Sequence, residues 1–282
     1  GEMLQIIVFA LLLGVAITVA GDRGRHVLNV FTDLNSVIMQ MVWIIVRLAP
    51  AGVFCLIART FSTEGVEAFV PLAKYFLCVV AALAVHAIAT YSFLLKLFGG
   101  LSPTIFFIKM RAAQLFAFST ASSNATIPVT LESVKNRLGV DNSVASFTVP
   151  FGATINMDGT AIMQGVATVF IAQVYGVDLS LGDFLAVIMT ATLASIGTAG
   201  VPGVGLIMLA MVLQQVGLPV EGIALIIGVD RLLDMMRTAV NITGDAAVTC
   251  VIAKSEGCLN VKRYADPSAG LAPLEKPLTP NR

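Results

Sequence analysis

The chain has 282 residues, of which 57% are hydrophobic and 12% charged, and its formal net charge at pH 7 is +0. Soluble domains carry about 25% charged residues, and a mean hydropathy of +0.90 leaves too few polar side chains to coat an aqueous core. We therefore exclude a soluble globular protein, a disordered chain and, because no basic surface is available, a nucleic-acid binder.

Uncharged apolar runs long enough to cross a bilayer as helices recur along the chain. Residue 1 is glycine, and the first run, residues 3–21, is followed by basic residues instead of being preceded by them. This pattern predicts a membrane span cut close to its start, not a signal peptide. The later runs cover residues 34–58 with one interruption at Arg47, 75–95, 112–131, 142–157, 159–177 and 184–220. The sequence predicts an all-α polytopic membrane protein.

Two of these runs are interrupted in a similar way. Residues 112–131 contain a polar cluster followed by Pro128, and residues 184–220 contain a centre rich in Gly and Pro at 195–205. Both patterns predict a re-entrant hairpin, in which two half-helices meet at a non-helical tip that is buried in protein or lines a cavity. Each hairpin precedes a span that bears an Asn–Asp pair, Asn156 with Asp158 after the first and Asn241 with Asp245 after the second. Such paired interruptions indicate the binding site of a secondary transporter.

The distribution of Lys and Arg favours the two hairpins. With both hairpins present, the loops on one side hold 12 basic residues and the opposite loops hold 2, against 10 and 4 if each were a single span. The positive-inside rule then places the carboxyl terminus in the cytoplasm. The proline-containing tail, residues 257–282, is predicted to be disordered.

The last span carries a polar stripe within an arc of about 80° on an α-helix. A ladder of Asp–Arg salt bridges is one explanation, but it leaves Asp158 and the last Asp of the stripe without a cationic partner, which is costly for buried carboxylates. Bound cations would satisfy them through oxygen ligands. An Arg that binds a carboxylate and an Asp that suits an ammonium indicate a zwitterion with an extra acid group. The stripe comprises Asp230, Asp234, Arg237, Asn241 and Asp245.

Four blocks carry a resemblance to a known family: residues 122–128, 152–160, 195–205 and 230–245. From about residue 3 to 256 the chain resembles the dicarboxylate/amino acid:cation symporters, the glutamate transporters and their bacterial homologues. The resemblance implies a homotrimer in the cell membrane, whose subunits have eight transmembrane segments, two re-entrant hairpins and inverted repeats. It also implies that segments one to three are absent from this chain.

The resemblance divides the chain into three parts. Residues 1–62 resemble the end of segment four and all of segment five, in the scaffold where subunits meet. Residues 63–256 resemble a transport domain that moves like an elevator with hairpin two as its gate, and residues 257–282 form the tail. The transport domain comprises segment six, hairpin one at about 103–135, segment seven at about 141–177, hairpin two at about 183–216 and segment eight at about 219–254.

The resemblance also implies roles in substrate binding. Arg237, helped by Thr160, would hold the side-chain carboxylate of L-aspartate or L-glutamate, and Asp234 and Thr238 would hold its amino group. Asn241 and the backbone around Ser123 and Val201 would take the α-carboxylate. Asn124 stands where many members have a serine. The candidate substrate-binding residues are Ser122, Ser123, Asn124, Thr160, Val201, Gly205, Asp234, Arg237, Thr238 and Asn241.

Three sodium sites follow from the same resemblance, and no other cofactor is expected. The first is formed by carbonyls of Gly152, Asn156 and Asn241 with the Asp245 carboxylate. The second is formed by carbonyls of Thr154, Ser195, Ile196 and Thr198, capped by Met157. The third uses Asn156 and Asp158 with residues from an earlier segment.

The leading hypothesis is sodium-coupled symport of aspartate or glutamate, without enzymatic activity. The alternative is a proton-coupled C4-dicarboxylate symporter of the same fold, although such members tend to lack the two acids that stand here as Asp234 and Asp245. A membrane hydrolase with Ser122 or Ser123 as nucleophile lacks an obvious base. An anion channel and a non-transporting remnant stay open as further alternatives.

Overall fold

The computed structural model describes residues 3–46, 54–55, 58, 69–196 and 198–270. Every regular element in these ranges is helical, which confirms the predicted all-α class. Within them, the continuous helical stretch Val70–Leu97 is long and apolar enough to cross a membrane, while Leu181–Ser195 and Val204–Gln215 are shorter apolar helices. The predicted boundary between residues 62 and 63 lies outside the described residues.

The amino-terminal part consists of two helices, α1 (Met3–Ala20) and α2 (Arg25–Val46), joined by the 3-10 turn Gly21–Gly24. Of the residues in this part whose burial the structure describes, Gly24 is the buried one. Large apolar side chains point outward, including Val19, which is 82% exposed. Such a surface indicates contact with lipid or with another protein.

Helix α3 (Phe69–Val85) continues through one π-helical turn, His86–Thr90, into α4 (Tyr91–Leu97). A first helix pair follows, α5 (Pro103–Thr120) and α6 (Ser123–Glu132), which pack against each other. The chain reverses at Ala121, which adopts a left-handed conformation with φ 50°. Ser122 then caps α6, because its hydroxyl accepts a hydrogen bond from the Ala125 amide.

A second helix pair consists of α9 (Leu181–Ser195) and α10 (Val204–Gln215), which also pack against each other. The described residues between the two helices, 196 and 198–203, are non-helical. Gly203 has φ 82° at the start of α10, a conformation that glycine adopts without steric cost. A capping box of Ser180 and Asp183 starts α9.

The segment between the two pairs consists of two helices. The resemblance implies one segment over about 141–177, which contains the uncharged runs 142–157 and 159–177, and the structure forms α7 (Asn142–Ile155) and α8 (Asp158–Val174) with Asn156 and Met157 outside both. Breaking a helix leaves carbonyl and amide groups without intrahelical partners on either side of the gap. This break therefore places backbone polar groups beside the polar stripe of the last span.

Helix α11 (Ile223–Ser255) follows a 3-10 turn, Val220–Gly222, and lies at the centre of the structure. Its amino-terminal half packs into a core cluster with α3, α8, α9 and α10, and its carboxyl-terminal half into a second cluster with α4, α5, α6 and α7. The polar stripe of α11 lies in its middle, where the two apolar clusters meet.

The predicted disorder from residue 257 is wrong for residues 257–270. Here the chain forms α12 (Val261–Ala265), and Tyr264 is buried with its hydroxyl donating to the Ser102 carbonyl at 2.9 Å. Backbone hydrogen bonds join Asn260 to Gly139 and Asp141 to Cys258. Packing of Tyr264 and these hydrogen bonds order the segment despite its polar composition. The rest of the predicted tail, residues 271–282, lies outside the described residues.

Candidate functional site

The polar stripe of α11 is buried, although it carries three carboxylates. Asp230, Arg237, Asn241 and Asp245 expose between 1% and 4% of their surface. Ionic groups persist at such depth only when they are paired or hydrogen-bonded. The contacts of each group therefore indicate what this part of the protein does.

Arg237 lies between two aspartates of its own helix. Its Nη2 donates to Asp234 Oδ1 at 2.9 Å, and its Nη1 lies 3.2 Å from Asp230 Oδ1. Both halves of the predicted Asp–Arg ladder thus form at once. Nε and Nη1 of the guanidinium find no hydrogen-bond acceptor among the described residues. The charge of Arg237 is compensated, while part of its hydrogen-bonding capacity remains available.

Asp234 connects α11 to the tip of the second helix pair. Its Oδ2 accepts a hydrogen bond of 2.9 Å from the Gly203 amide. Two residues further on, Gly205 lies against the guanidinium, since a Cβ at this position would be 3.3 Å from Nη1 and Nη2 of Arg237. A glycine at 205 permits this close approach of α10 to the arginine.

A small cavity of about 10 Å³ lies between the two tips, α8 and α11. This volume accommodates about one water molecule. Most of the predicted substrate residues line it, together with two residues predicted for sodium and three that the sequence did not single out. The first group is Ser123, Thr160, Val201, Gly205, Asp234, Thr238 and Asn241; the second is Met157 and Thr198; the third is Ala121, Ala199 and Gly200.

Three predicted substrate residues lie elsewhere. Arg237 does not line the cavity and is buried in its ion pairs, and Ser122 and Asn124 are used in a contact between the two tips. The Ser122 hydroxyl donates to the Gly200 carbonyl at 2.7 Å, and the Asn124 amide donates to the same oxygen at 3.1 Å. In this conformation the cavity is closed by the meeting of the two tips.

Asn241 joins α11 to the start of α8. Its Oδ1 accepts from the Gly159 amide at 2.8 Å, and its Nδ2 lies 3.4 Å from the Thr160 hydroxyl. Gly159 is required at this crossing, because a Cβ there would lie 2.8 Å from Asn241 Oδ1. The Asn241 carbonyl faces the Asn156 side-chain amide at 3.4 Å, so Asn241 lies between the cavity and the next group of polar residues.

That next group centres on Asp245. Its Oδ1 accepts from Asn156 Nδ2 at 2.9 Å, and Gly152 is so close that a Cβ would lie 2.7 Å from the same oxygen. The second oxygen, Oδ2, is buried and accepts no hydrogen bond from the described residues. The structure therefore brings together all four residues predicted for the first sodium site. Their carboxylate and carbonyl oxygens are ligands suited to a hard cation.

Asp158, which the Asp–Arg ladder leaves without a cationic partner, has hydrogen-bond partners on other elements. Its Oδ2 accepts from the Tyr91 hydroxyl and lies 2.7 Å from Nε2 of His86, and its Oδ1 accepts from the Gly159 amide at 2.9 Å. The carboxylate also lies in the first turn of α8, where the helix dipole favours negative charge. Asn156, predicted beside it, directs its amide to Asp245.

The residues predicted for the second sodium site are divided. Met157, Ser195 and Thr198 are buried, and Ile196 is partly buried at the end of α9. Thr154 is exposed on α7, and its hydroxyl donates to the Pro150 carbonyl. The Ser195 carbonyl accepts from the Thr198 amide at 3.4 Å. In this conformation the Ser195 carbonyl, one of the predicted sodium ligands, is thus occupied by a hydrogen bond within the tip.

Sequence reasoning missed His86 and Tyr91 as part of the site. A single histidine in the apolar run 75–95 is typical of a packed or hydrogen-bonded helix residue, and the sequence does not identify its partner. The signal was the occurrence of two hydrogen-bonding side chains, His86 and Tyr91, within an apolar run. Their partner Asp158 is 72 positions from His86 and 67 from Tyr91, so no local pattern could reveal the contact.

The chain matches the sequence profile of the sodium:dicarboxylate symporter family over residues 1–255. It is 42% identical over 254 residues to excitatory amino acid transporter 3 of Mus musculus, covering 90% of this chain and 49% of the mouse protein. It is 40% identical over 247 residues to an excitatory amino acid transporter of Caenorhabditis elegans, covering 87% and 49%.

A bacterial relative is similarly close. The proton/sodium-glutamate symport protein of Geobacillus stearothermophilus is 36% identical over 265 residues, which cover 93% of this chain and 62% of the bacterial protein. The chain thus spans about half the length of the two animal relatives and 62% of the bacterial one.

Proposed function

The chain belongs to the sodium:dicarboxylate symporter family, a family of membrane transporters, and we propose that it serves sodium-coupled symport of acidic amino acids, with L-aspartate or L-glutamate as substrate. The animal relatives are named for excitatory amino acids and the bacterial relative for glutamate, protons and sodium. The site supports the same kind of solute on physical grounds.

One observation carries the proposal: the buried Oδ2 of Asp245 has no hydrogen-bond donor among the described residues. A buried carboxylate oxygen without a partner is costly, and a cation compensates it. Gly152, Asn156 and Asn241 surround this carboxylate, and they would supply carbonyl oxygens. Oxygen ligands of this kind suit Na⁺ as a transported ion.

Asn241 supplies the link between ion and solute. Its side chain lines the cavity, while its carbonyl faces the Asn156 amide beside Asp245. An ion that holds the Asn241 backbone fixes the same residue that would bind the α-carboxylate of the substrate. Coupling of this kind is reciprocal, so the substrate raises the affinity for the ion by the same factor.

The charges around the cavity match an acidic amino acid. Asp234 and Thr238 would bind the amino group, and Arg237, with Thr160, would bind the side-chain carboxylate. Since Arg237 Nη2 already pairs with Asp234, substrate binding would exchange part of this ion pair for a carboxylate with two oxygens. The small cavity requires the two tips to separate before the substrate enters.

The wider architecture follows as part of the proposal. The α5–α6 and α9–α10 pairs would be re-entrant hairpins one and two, with the latter as gate. Residues 63–256 would move as a transport domain against a scaffold that includes residues 1–62, in a homotrimer in the cell membrane with a cytoplasmic carboxyl terminus. The outward apolar surface, such as Leu181 at 77% exposure, suits a lipid environment.

The test is aspartate binding to the purified full-length protein in lipid nanodiscs, measured calorimetrically in sodium and in choline. We expect tight binding in sodium, weak binding in choline, and loss of the sodium effect in Asp245→Asn. Asp22→Asn is the matched control, because Asp22 is exposed in the turn between α1 and α2 and pairs with Arg25, not with a residue of the site.

If aspartate binding does not depend on sodium but does depend on pH, proton-coupled C4-dicarboxylate symport replaces this proposal. If no acidic solute binds, the Asp–Arg ladder is structural and the proposal is wrong.

A further inference from the structure

The π-helical turn between α3 and α4 changes which side chains share a face of this helix. Residues five apart, such as His86 and Tyr91, would lie about 140° apart on an α-helix. The wider i→i+5 hydrogen bonding of the His86–Thr90 turn brings them toward one face. Their rings pack edge to face with centroids 5.0 Å apart. The turn therefore presents two hydrogen-bonding groups side by side.

Both groups converge on one oxygen of Asp158. The Tyr91 hydroxyl donates to Oδ2, and His86 Nε2 lies 2.7 Å from the same atom. The Asp158 side chain is 23% exposed, so these bonds form in a partly buried setting where charge-assisted hydrogen bonds are strong. They fix the rotation of the carboxylate and leave Oδ1, which accepts from the Gly159 amide, on the other side.

Tyr91 also binds α11. Its hydroxyl lies 3.0 Å from the Val240 carbonyl, one residue before Asn241. Gly244 permits this approach, because a Cβ there would lie 2.8 Å from the Tyr91 hydroxyl and 2.6 Å from Asn156 Nδ2. The hydroxyl of Tyr91, which belongs to α4, therefore contacts two other elements, the start of α8 and the middle of α11.

We propose that Tyr91 and His86 are positioning residues for cation binding, which orient the Asp158 carboxylate and hold it against α11 beside Asn156 and Asn241. This inference rests on the proposed function and adds to it a determinant on the π-helical turn and α4, outside the ion-ligand and substrate residues. Outer residues that hydrogen-bond a carboxylate ligand commonly change metal affinity by about 10- to 100-fold when they are removed.

The experiment measures sodium-dependent aspartate binding to the purified full-length protein in nanodiscs for Tyr91→Phe and His86→Leu. For each, we expect the sodium concentration at half-saturation to rise about tenfold or more. Aspartate affinity at saturating sodium should stay at the wild-type value, because neither residue lines the substrate cavity. Removing a residue that only supports the fold would not change the sodium half-saturation while leaving the aspartate affinity unchanged.

Tyr264→Phe is the matched control, since it removes another buried tyrosine hydroxyl, whose hydrogen bond is to the Ser102 carbonyl and not to Asp158. It should leave the sodium half-saturation unchanged. If Tyr91→Phe fails to fold, His86→Leu still tests the inference, because His86 is only partly buried.

An unchanged sodium half-saturation in either folded variant would overturn the inference while leaving the proposed function in place. Wild-type binding that does not depend on sodium would overturn both. These two failures are distinguished by the wild-type measurement alone.

Discussion

The hydroxyl of Ser122 donates a 2.7 Å hydrogen bond to the carbonyl of Gly200, although the two residues are 78 positions apart. Each lies at the non-helical tip of one helix pair. The Asn124 amide donates to the same carbonyl, so both bonds hold the tips together over the cavity. Opening the cavity therefore requires breaking a small set of identifiable contacts.

Replacing Gly200 by alanine should prevent the tips from closing. A Cβ at this position would lie 2.7 Å from Asn124 Oδ1 and 3.0 Å from the Asn124 amide nitrogen. Overpacking costs about 1–3 kcal/mol, and about 1.4 kcal/mol corresponds to tenfold in affinity. We expect aspartate affinity in saturating sodium to fall about tenfold, measured by calorimetry.

Gly165→Ala controls for the loss of a glycine. A Cβ at Gly165 meets no atom within 4 Å, and the residue lies in α8, away from both tips. This variant should bind aspartate like the wild type. Equal affinities for Gly200→Ala and Gly165→Ala would show that tip closure does not contribute to binding.

Gly152→Ala should weaken sodium binding. The added Cβ would lie 2.7 Å from Asp245 Oδ1 and 2.9 Å from its Cγ, so the carboxylate must shift away from Asn156. We expect a several-fold rise in the sodium concentration at half-saturation, because the overlap costs about 1–3 kcal/mol. The measurement is sodium-dependent aspartate binding, and a wild-type sodium dependence would contradict the assignment of Asp245 as an ion ligand.

Arg237→Cys should abolish aspartate uptake and admit neutral amino acids. The change removes the guanidinium and leaves Asp230 and Asp234 buried without their cation, and breaking a buried ion pair costs about 3–5 kcal/mol. Uptake of labelled aspartate and of a neutral amino acid into proteoliposomes tests both parts.

Arg231→Cys is the matched control, because Arg231 belongs to the same helix and is exposed. It should transport aspartate at the wild-type rate. Unchanged aspartate uptake in Arg237→Cys would exclude Arg237 from substrate binding.

Lys109→Met should release the segment that follows α11. The buried Lys109 ammonium donates to the carbonyls of Arg137 and Arg263, both at 2.6 Å, and so joins α5 to α12. Each carbonyl left unpaired costs about 1–3 kcal/mol. We expect faster hydrogen exchange over residues 258–265 and a lower Tm. Lys96→Met, at an exposed position, should change neither.

Acidification should weaken the start of α7. The Ser143 hydroxyl and amide both donate to the Asp141 carboxylate, at 2.6 Å and 2.8 Å, and hold the pKa of Asp141 below its usual range. Because the folded pKa is lowered, the contribution to stability is present above the usual pKa and is lost as pH falls through the lowered value.

Ser143→Ala should raise the pKa of Asp141 toward its usual range, as measured by NMR titration of the carboxyl group. Ser146→Ala is the control, since its hydroxyl donates to the Asn142 carbonyl and not to Asp141. If the pKa of Asp141 does not move in Ser143→Ala, the hydroxyl is not what lowers it.

The sequence by itself determined the class of the protein and the composition of the stripe. Apolar runs of bilayer length and helical periodicity are local properties, so they predicted the helices and placed Asp230, Asp234, Arg237, Asn241 and Asp245 on one face. Gly and Pro in 195–205 likewise predicted the non-helical stretch between α9 and α10. These predictions depend only on residues that are close to one another along the chain.

The tertiary structure decided which polar groups meet. The partners of Asp158, the contact of Ser122 with Gly200 and the docking of Tyr264 all join segments that are distant in sequence. A helix pattern fixes the face on which a residue lies, but not the element that packs against that face. Burial of the two apolar clusters around α11 determines which elements pack together. The polar contacts then form where the clusters meet.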